Sequence, residues 1–237
     1  MISDLNELLP HAKTDVKLNK QGGFQQINEI AEYKNCQNIM FFEARKKKDT
    51  FLWMSPDPVK GPSVRFLVEN VHTKAELRFT GNCLTRSRPI LSFHKDFDDE
   101  EKPHLQLIKL CLMKTFNTPR YHPKSQPFID HVFNFSIVDG KIWFRNYQVE
   151  NETKDIVEIG PRFTLTPACV FNGSFQGAKV WKNDDYQSPN ERRRMIRQIK
   201  AMHASNPEKR AADKIQRELA TQGMEKYKLN KKDEVFQ

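Results

Sequence analysis

The sequence contains few cysteines and no long apolar segment. Its four cysteines, Cys36, Cys83, Cys111 and Cys169, lie far apart, which is the spacing of neither a disulfide framework nor a zinc site. No apolar run approaches the roughly 18–20 residues that a membrane helix needs. The first residues also lack the basic and apolar regions of a signal peptide. The sequence therefore predicts a soluble nuclear or cytoplasmic protein with reduced thiols.

Catalytic motifs are missing as well. The chain has no Gly-rich phosphate loop, no Gly-x-Gly-x-x-Gly after a strand, no His-Glu-x-x-His and no Gly-x-Ser-x-Gly. Its seven histidines are scattered. The acidic segment at residues 96–101 lacks the glycine and the ligand spacing of a calcium loop, so a solvated loop is favoured over a cation site. We therefore expect no enzymatic activity, metal, cofactor or small-molecule substrate.

Positive charge is what the chain has in excess. It carries 39 Lys and Arg residues against 30 Asp and Glu residues, a net charge of +9. Residues 189–237 alone hold 13 basic and 7 acidic residues, so they contribute +6 of the +9. A basic chain favours a polyanionic partner, either nucleic acid or an acidic membrane face.

Hydrophobic periodicity predicts a mixed α/β fold. Helical spacing over residues 24–35 predicts one helix, and the spacing over residues 105–113 predicts another that ends near Thr118-Pro119. Apolar runs on either side of Arg45–Asp49 predict a β-hairpin with a basic tip. Asp139-Gly140 between two further apolar runs predicts a second hairpin with a type I′ turn.

The order of elements repeats along the chain. Gly61-Pro62 follows the first hairpin and precedes a strand, and Gly160-Pro161 follows the second hairpin in the same way. This repetition indicates an internal duplication, with an N-terminal lobe over residues 1–118 and a similar C-terminal lobe over residues 119–187. Residues 188–237 are expected to form a basic helical tail.

The tail begins with a clear helix signal. Ser188 and Glu191 have the spacing of a capping box, and a proline stands between them at the first helical position. Three apolar side chains then recur on one helix face, a candidate docking surface for a partner protein. These are Met195, Ile199 and Met202, with Arg193, Arg197 and Lys200 close to the opposite face.

Basic side chains cluster at several projecting places. Long cationic side chains on a hairpin tip or a helix face reach phosphates easily, and each phosphate that they neutralise makes binding salt-dependent. A solvated basic surface is the alternative for each cluster taken alone. The candidate RNA-binding residues are Arg45, Lys46, Lys47 and Lys48 at the hairpin tip, Arg86 and Arg88, Arg120 and Lys124 in a proline-rich loop, and Arg192, Arg193, Arg194, Arg197 and Lys200 in the tail.

Several long segments resemble those of one known family. Phe79–Pro89 (FTGNCLTRSRP), Thr118–His131 (TPRYHPKSQPFIDH), Ile142–Asn146 (IWFRN) and Tyr186–Asn190 (YQSPN) are similar to segments of Brix-domain proteins. Glu158–Phe163 (EIGPRF) resembles the motif that was once compared with a sigma-factor segment and used to define that family. The similarity runs from the first predicted helix, a short one that Ser3 can cap and Pro10 ends, to about Arg197. The chain is therefore identified as a member of the Brix family.

This resemblance implies a fold and a role. The fold would be a Brix domain of two similar α/β lobes. The role would be maturation of the large ribosomal subunit in the nucleolus, with precursor rRNA and other assembly factors as partners and no catalytic site. The family pattern also includes a β-strand before the first helix, so the first lobe is expected to lack one strand. Arg86 stands where relatives usually carry glycine, which adds charge to that turn.

Functions of more than one class follow from these observations. The leading prediction is an rRNA-binding factor for biogenesis of the large (60S) subunit, located in the nucleus and nucleolus, whose partners are large-subunit precursor rRNA and other pre-60S assembly factors. The alternatives are a protein–protein scaffold within pre-ribosomes with little direct RNA contact, and a sibling Brix-domain factor of another pre-ribosomal step. An RNA-processing enzyme is disfavoured, because no acid cluster or nucleophile constellation supports one. No membrane partner is expected.

Overall fold

The computed structural model describes residues 1–18, 23–149, 156–205, 214–215 and 218–219. The chain divides into two units, one of residues 1–186 and one of residues 187–237. Among these described residues, four helices, a 3₁₀ helix and a nine-stranded sheet belong to the first unit, and one helix belongs to the second. The helices are α1 (Ile2–Leu8), α2 (Gln25–Tyr33), α3 (Lys74–Leu77), α4 (Pro103–Phe116) and α5 (Pro189–Ser205), and the 3₁₀ helix is Lys95–Asp98. The strands are β1 (Ile39–Arg45), β2 (Asp49–Ser55), β3 (Ser63–His72), β4 (Pro89–Phe93), β5 (His131–Val138), β6 (Lys141–Gln148), β7 (Val157–Glu158), β8 (Arg162–Phe171) and β9 (Lys179–Lys182).

The strands form one continuous sheet in the order β1-β2-β3-β8-β6-β5-β4. β7 pairs with β6, and β9 pairs with β8. The order is symmetric about its centre, because the antiparallel pair β3 and β8 is flanked on each side by an antiparallel hairpin. β4 lies beyond the second hairpin and runs parallel to β5. Within the described residues, no strand pairs with the corresponding outer side of β1.

Both predicted hairpins are present. β1 and β2 pair from Ile39 opposite Ser55 to Arg45 opposite Asp49, so residues 46–48 form the turn. β5 and β6 are joined by Asp139 and Gly140, whose φ angles of 52° and 68° are the positive values that a type I′ turn requires. These local signals were sufficient because a two-residue or three-residue turn fixes the register of the strands that it joins.

Alternation along the strands gives the sheet two apolar faces. Leu52 and Met54 belong to the larger buried cluster, whereas Phe51 and Trp53 belong to the smaller one. Successive strand residues point to opposite faces, so the two clusters lie on opposite sides of the sheet. Helices α1 and α4 contribute to the larger cluster and α2 contributes to the smaller one. In the larger cluster, four buried phenylalanine rings pack around that of Phe144, namely Phe116, Phe133, Phe135 and Phe163.

The acidic segment differs from its prediction. Its first part is a 3₁₀ helix rather than a loop, because Phe97 is fully buried and packs against Phe93 with ring centroids 5.4 Å apart. Lys109 on α4 pairs with Asp98, at 2.6 Å between Nζ and Oδ1. The Phe97 ring thus anchors the segment to the core. The sequence did not indicate this, because carboxylates surround Phe97 in the chain.

The mixed α/β class is confirmed. The division into lobes at residue 118 stays a prediction, as does the expectation that the first lobe lacks a strand before its first helix. Strand β4, from the first predicted lobe, pairs with β5 from the second, so the sheet itself has no break at that boundary. Among the described residues, no helix is both long and apolar enough to cross a membrane.

Candidate nucleic-acid interface

The hairpin tip presents four consecutive basic residues, all of them exposed. Arg45 ends β1, and the Lys48 N–H donates to its carbonyl at 3.0 Å to close the turn. Lys46 and Lys47 have φ angles of 50° and 56°, so the backbone turns sharply and their side chains project from it. Arg45 is already engaged, because its Nε lies 2.6 Å from Oε1 of Glu43. The three lysines are therefore better placed than Arg45 to contact a phosphate.

Arg65 on β3 is a cation near this tip that the sequence analysis did not single out. Its guanidinium carbon lies 4.1 Å from the centroid of the Phe51 ring and 5.1 Å from that of Trp53. Arg45 also lies over Phe51, at 5.3 Å, so both guanidinium groups share one ring. The strand pattern of the sequence could have indicated Arg65. It interrupts an apolar strand, and its side chain lies on the same face of the sheet as those two positions away.

The remaining candidate RNA-binding residues of the first unit lie on two loops that the fold joins. Arg86 and Arg88 belong to residues 78–88, between α3 and β4, whereas Arg120 and Lys124 belong to residues 117–130, between α4 and β5. The Arg88 N–H donates to the Phe128 carbonyl at 2.9 Å, and the Gln126 N–H donates to the Arg86 carbonyl at 2.9 Å. The structure thus brings together two groups of cations that the sequence separates by some thirty residues.

Each of these four cations has its own environment. Arg86, Arg120 and Lys124 are exposed. Arg88 is half-buried, and its guanidinium donates to the Thr118 carbonyl at 3.1 Å, which fastens one loop to the other. Arg86 has a φ of 67°, in the region that favours glycine. Arg88 is therefore a structural link, while the other three present their charges to solvent.

A buried polar group anchors the junction of the two loops. The Asp130 carboxylate accepts hydrogen bonds from the Leu84 N–H and the Ser87 hydroxyl, and it contacts Nδ1 of His131 at 2.7 Å. Ser87 and His131 are both almost fully buried. Burial raises the pKa of Asp130, but the bonds from Ser87, His131 and Leu84 outweigh it and hold that pKa below its usual value. Burial also lowers the pKa of His131, against the opposing effect of Asp130.

This group contains the residue types of a hydrolytic triad without its arrangement. In a triad, the serine and the carboxylate contact opposite nitrogens of the histidine ring. Here the Ser87 hydroxyl lies 3.0 Å from Nδ1 of His131, the same nitrogen that Asp130 contacts. Ser87 is moreover closed to solvent. The group therefore holds loops in place and has no geometry for nucleophilic attack.

Two of the thiols are equally unsuited to chemistry. Burial raises the pKa of Cys83 to about 11 and that of Cys111 to about 12, so both remain protonated near neutral pH. In the parts of the chain that the structure describes, no three His, Cys, Asp or Glu side chains come together as metal ligands would.

The second unit contains helix α5. Its predicted capping box is present, because the Glu191 N–H donates to the Ser188 hydroxyl at 3.2 Å and the Ser188 N–H donates to the Glu191 carboxylate at 2.9 Å. Ile196 adds a fourth exposed apolar side chain that the prediction did not include. Met195, Ile199 and Met202 are exposed, Arg192, Arg194, Arg197 and Lys200 are exposed, and Arg193 is half-buried. Beyond residue 205, the predicted helical tail lies almost wholly outside the described residues.

These features define the class of protein: an α/β chain with exposed cations on rigid turns and loops. Comparison with known families is more specific. The sequence profile of the Brix domain matches residues 1–169, and the chain belongs to this family. The family is not known as enzymatic, so the prediction that the chain is not an enzyme is confirmed at the level of its family.

Relatives of this chain are named ribosome biogenesis protein BRX1 homolog. The Homo sapiens protein is 53% identical over 201 residues, which cover 85% of this chain and 56% of the relative. The Caenorhabditis elegans protein is 55% identical over 195 residues, covering 82% and 54%, and the Drosophila melanogaster protein is 41% identical over 238 residues, covering 100% and 65%. The chain thus spans between 54% and 65% of the length of these relatives.

The chain is also similar to a solved structure. It is described as a probable ribosomal biogenesis protein from Aeropyrum pernix K1. The match covers 69% of this chain and 87% of that one, with a TM-score of 0.43 and 12% sequence identity.

Proposed function

We propose that this chain is an rRNA-binding assembly factor for the large (60S) ribosomal subunit and acts in the nucleolus. The names of its relatives support a role in ribosome biogenesis. The observation that carries RNA binding is the hairpin turn, where Lys46, Lys47 and Lys48 are all exposed on a fixed backbone. Three adjacent cations held away from the body of the protein match the regular negative charges of an RNA backbone.

Crosslinking in cells tests this proposal. The tagged chain is crosslinked to RNA, and the attached fragments are sequenced. We expect fragments from the large-subunit precursor, and we expect their yield to fall when the three turn lysines are replaced by glutamine. Fragments confined to the small-subunit precursor would instead identify a factor of another pre-ribosomal step. A yield equal to that of an unrelated tagged protein would refute RNA binding.

A second candidate function is a scaffold that recruits another pre-60S assembly factor through α5. The supporting observation is the apolar stripe of Met195, Ile199 and Met202, three large side chains exposed one helical turn apart. Such a stripe fits the hydrophobic groove of a partner protein. Replacing Met195 and Ile199 by Asp is expected to remove the partner from purified complexes while the RNA affinity of the chain is kept. Retention of every partner by this variant would refute the scaffold.

A further inference from the structure

The two joined loops carry large apolar side chains that face solvent. Tyr121 is 97% exposed and Phe128 is 57% exposed, and both lie on the loop between α4 and β5. Leu84 and Ile129 are exposed next to the points where the loops are bonded together. Exposed aromatic rings on these hydrogen-bonded loops are unusual for this protein, which buries most of its phenylalanines in the core.

The backbone beneath these rings is well anchored. After Tyr121, the His122 carbonyl accepts bonds from the Ser125 N–H at 3.0 Å and from the Ser125 hydroxyl at 2.9 Å. The imidazole of His122 also packs edge-on against that of His11, with ring centroids 6.4 Å apart. Phe128 is anchored through its carbonyl, which accepts the Arg88 N–H. Both rings are therefore presented on a prepared backbone, which lowers the entropic cost of binding a ligand.

The charges around the rings select the kind of ligand. The two loops, residues 78–88 and 117–130, contain five Lys and Arg residues and a single carboxylate, that of Asp130. That carboxylate is turned toward Leu84, Ser87 and His131, as described above. Arg86, Arg120 and Lys124 are exposed on the same two loops as the rings. A surface of aromatic rings among cations fits an unpaired nucleic acid strand, which offers base faces and phosphates together.

We propose that Tyr121 and Phe128 stack on unpaired RNA bases while Arg86, Arg120 and Lys124 contact the neighbouring phosphates. This inference rests on the proposed RNA-binding function and adds to it a preference for single-stranded RNA at the two loops. Bases within a duplex are already stacked on each other and cannot take up these rings. The hairpin turn, which offers only cations, has no such preference between single and double strands.

The test compares single-stranded and duplex RNA of one length, about 12 nucleotides, a size within the usual range for such sites. Binding of the full chain is followed by fluorescence anisotropy. Tyr121→Ala is expected to weaken binding to the single strand by about fivefold or more, the usual effect of losing one stacked base. Its affinity for the duplex is expected to stay within about twofold, and Tyr121→Phe is expected to restore binding because it keeps the ring.

The control is Tyr33→Ala on α2, which removes a tyrosine that is 88% exposed and lies outside the loops. It should bind both RNAs like the original chain. Phe128→Ala provides a second loop variant in case Tyr121→Ala unfolds, and thermal melting checks each variant. Equal losses on single strand and duplex, or no loss in either loop variant, would overturn stacking while leaving RNA binding intact. If the original chain binds neither RNA, the proposed function fails as well.

Discussion

Replacing Lys46, Lys47 and Lys48 by glutamine measures how many phosphates the hairpin turn contacts. Glutamine keeps much of the side-chain length and removes only the charge, which matters because two of these residues have positive φ angles. For a single strand, the logarithm of the affinity falls against the logarithm of salt concentration by about 0.7 per phosphate contact. Three contacts therefore account for a slope of about 2, which the triple variant should lose.

The structure predicts three contacts here rather than four. Arg45 is paired with Glu43 at 2.6 Å and lies over the Phe51 ring, so its charge is largely satisfied within the protein. Adding Arg45→Gln to the triple variant should change the slope by much less than about 0.7, the value for one phosphate contact. A further decrease of that full amount would show that Arg45 leaves Glu43 to bind RNA.

The assay is a filter-binding titration at salt concentrations between about 50 and 200 mM. Across this fourfold range, a slope of about 2 means that the original chain loses about 20-fold more affinity than the triple variant. The matched control is Lys60→Gln with Lys95→Gln and Lys182→Gln, which removes the same charge from three exposed lysines away from the turn. If the turn variant and this control have equal slopes, the turn does not bind phosphates.

Three further predictions concern stability. Phe144→Ala should lower the free energy of unfolding in urea by about 3–5 kcal/mol, because Phe144 is fully buried and stacks on Phe163 at 4.5 Å; a loss below about 1 kcal/mol would contradict the packing. Gly140→Ala should cost about 1–2 kcal/mol, since its φ is 68° and no atom lies within 4 Å to add a clash; an unchanged urea midpoint would argue against the type I′ turn. His131 should make stability fall as the pH drops below 6.5, because burial lowers its pKa and the unfolded chain binds a proton that the folded chain does not. This slope is at most about 1.4 kcal/mol per pH unit for one group, and His131→Gln should reduce it without abolishing it, because burial lowers the pKa of His11 too; an identical pH profile in the variant would refute this role.

The two hairpins and the start of α5 were predictable because their signals are local. Asp139-Gly140 fixes a turn by its backbone preferences alone, and the capping box of Ser188 and Glu191 is complete within four residues. The order of the strands in the sheet, in contrast, does not follow from local signals. The contact between β3 and β8 joins residues about a hundred positions apart in the chain, and no residue in either strand specifies its partner. Sequence periodicity indicates which face of a strand is buried but not which strand lies beside it.

The candidate interface was predictable only as a list of charges. Lys46, Lys47 and Lys48 are exposed as expected, since a short polar turn between two apolar strands has nowhere to be buried. The role of Arg88 could not be read from the sequence, because its partner is a carbonyl on a loop thirty residues away. The position of Arg65 could not be predicted either, because its guanidinium lies over the rings of Phe51 and Trp53 on the neighbouring strand. Each arginine contributes equally to the net charge, whereas the structure distinguishes the arginines by the groups that surround each guanidinium.

This difference between the environments of the cations bears directly on how the chain would recognise RNA. Arg45 and Arg88 are arginines whose planar, multiply donating groups suit internal contacts to a carboxylate and a carbonyl. Lys46, Lys47 and Lys48 offer compact charges at the end of flexible side chains, which adapt to phosphates of any sequence. Under the proposed stacking, the aromatic rings of Tyr121 and Phe128 would add the requirement that bases be unpaired. Affinity would then depend mainly on the hairpin turn, and the preference for single-stranded over duplex RNA would depend on the joined loops. We therefore expect the turn variants to change the salt dependence and the loop variants to change the strand preference.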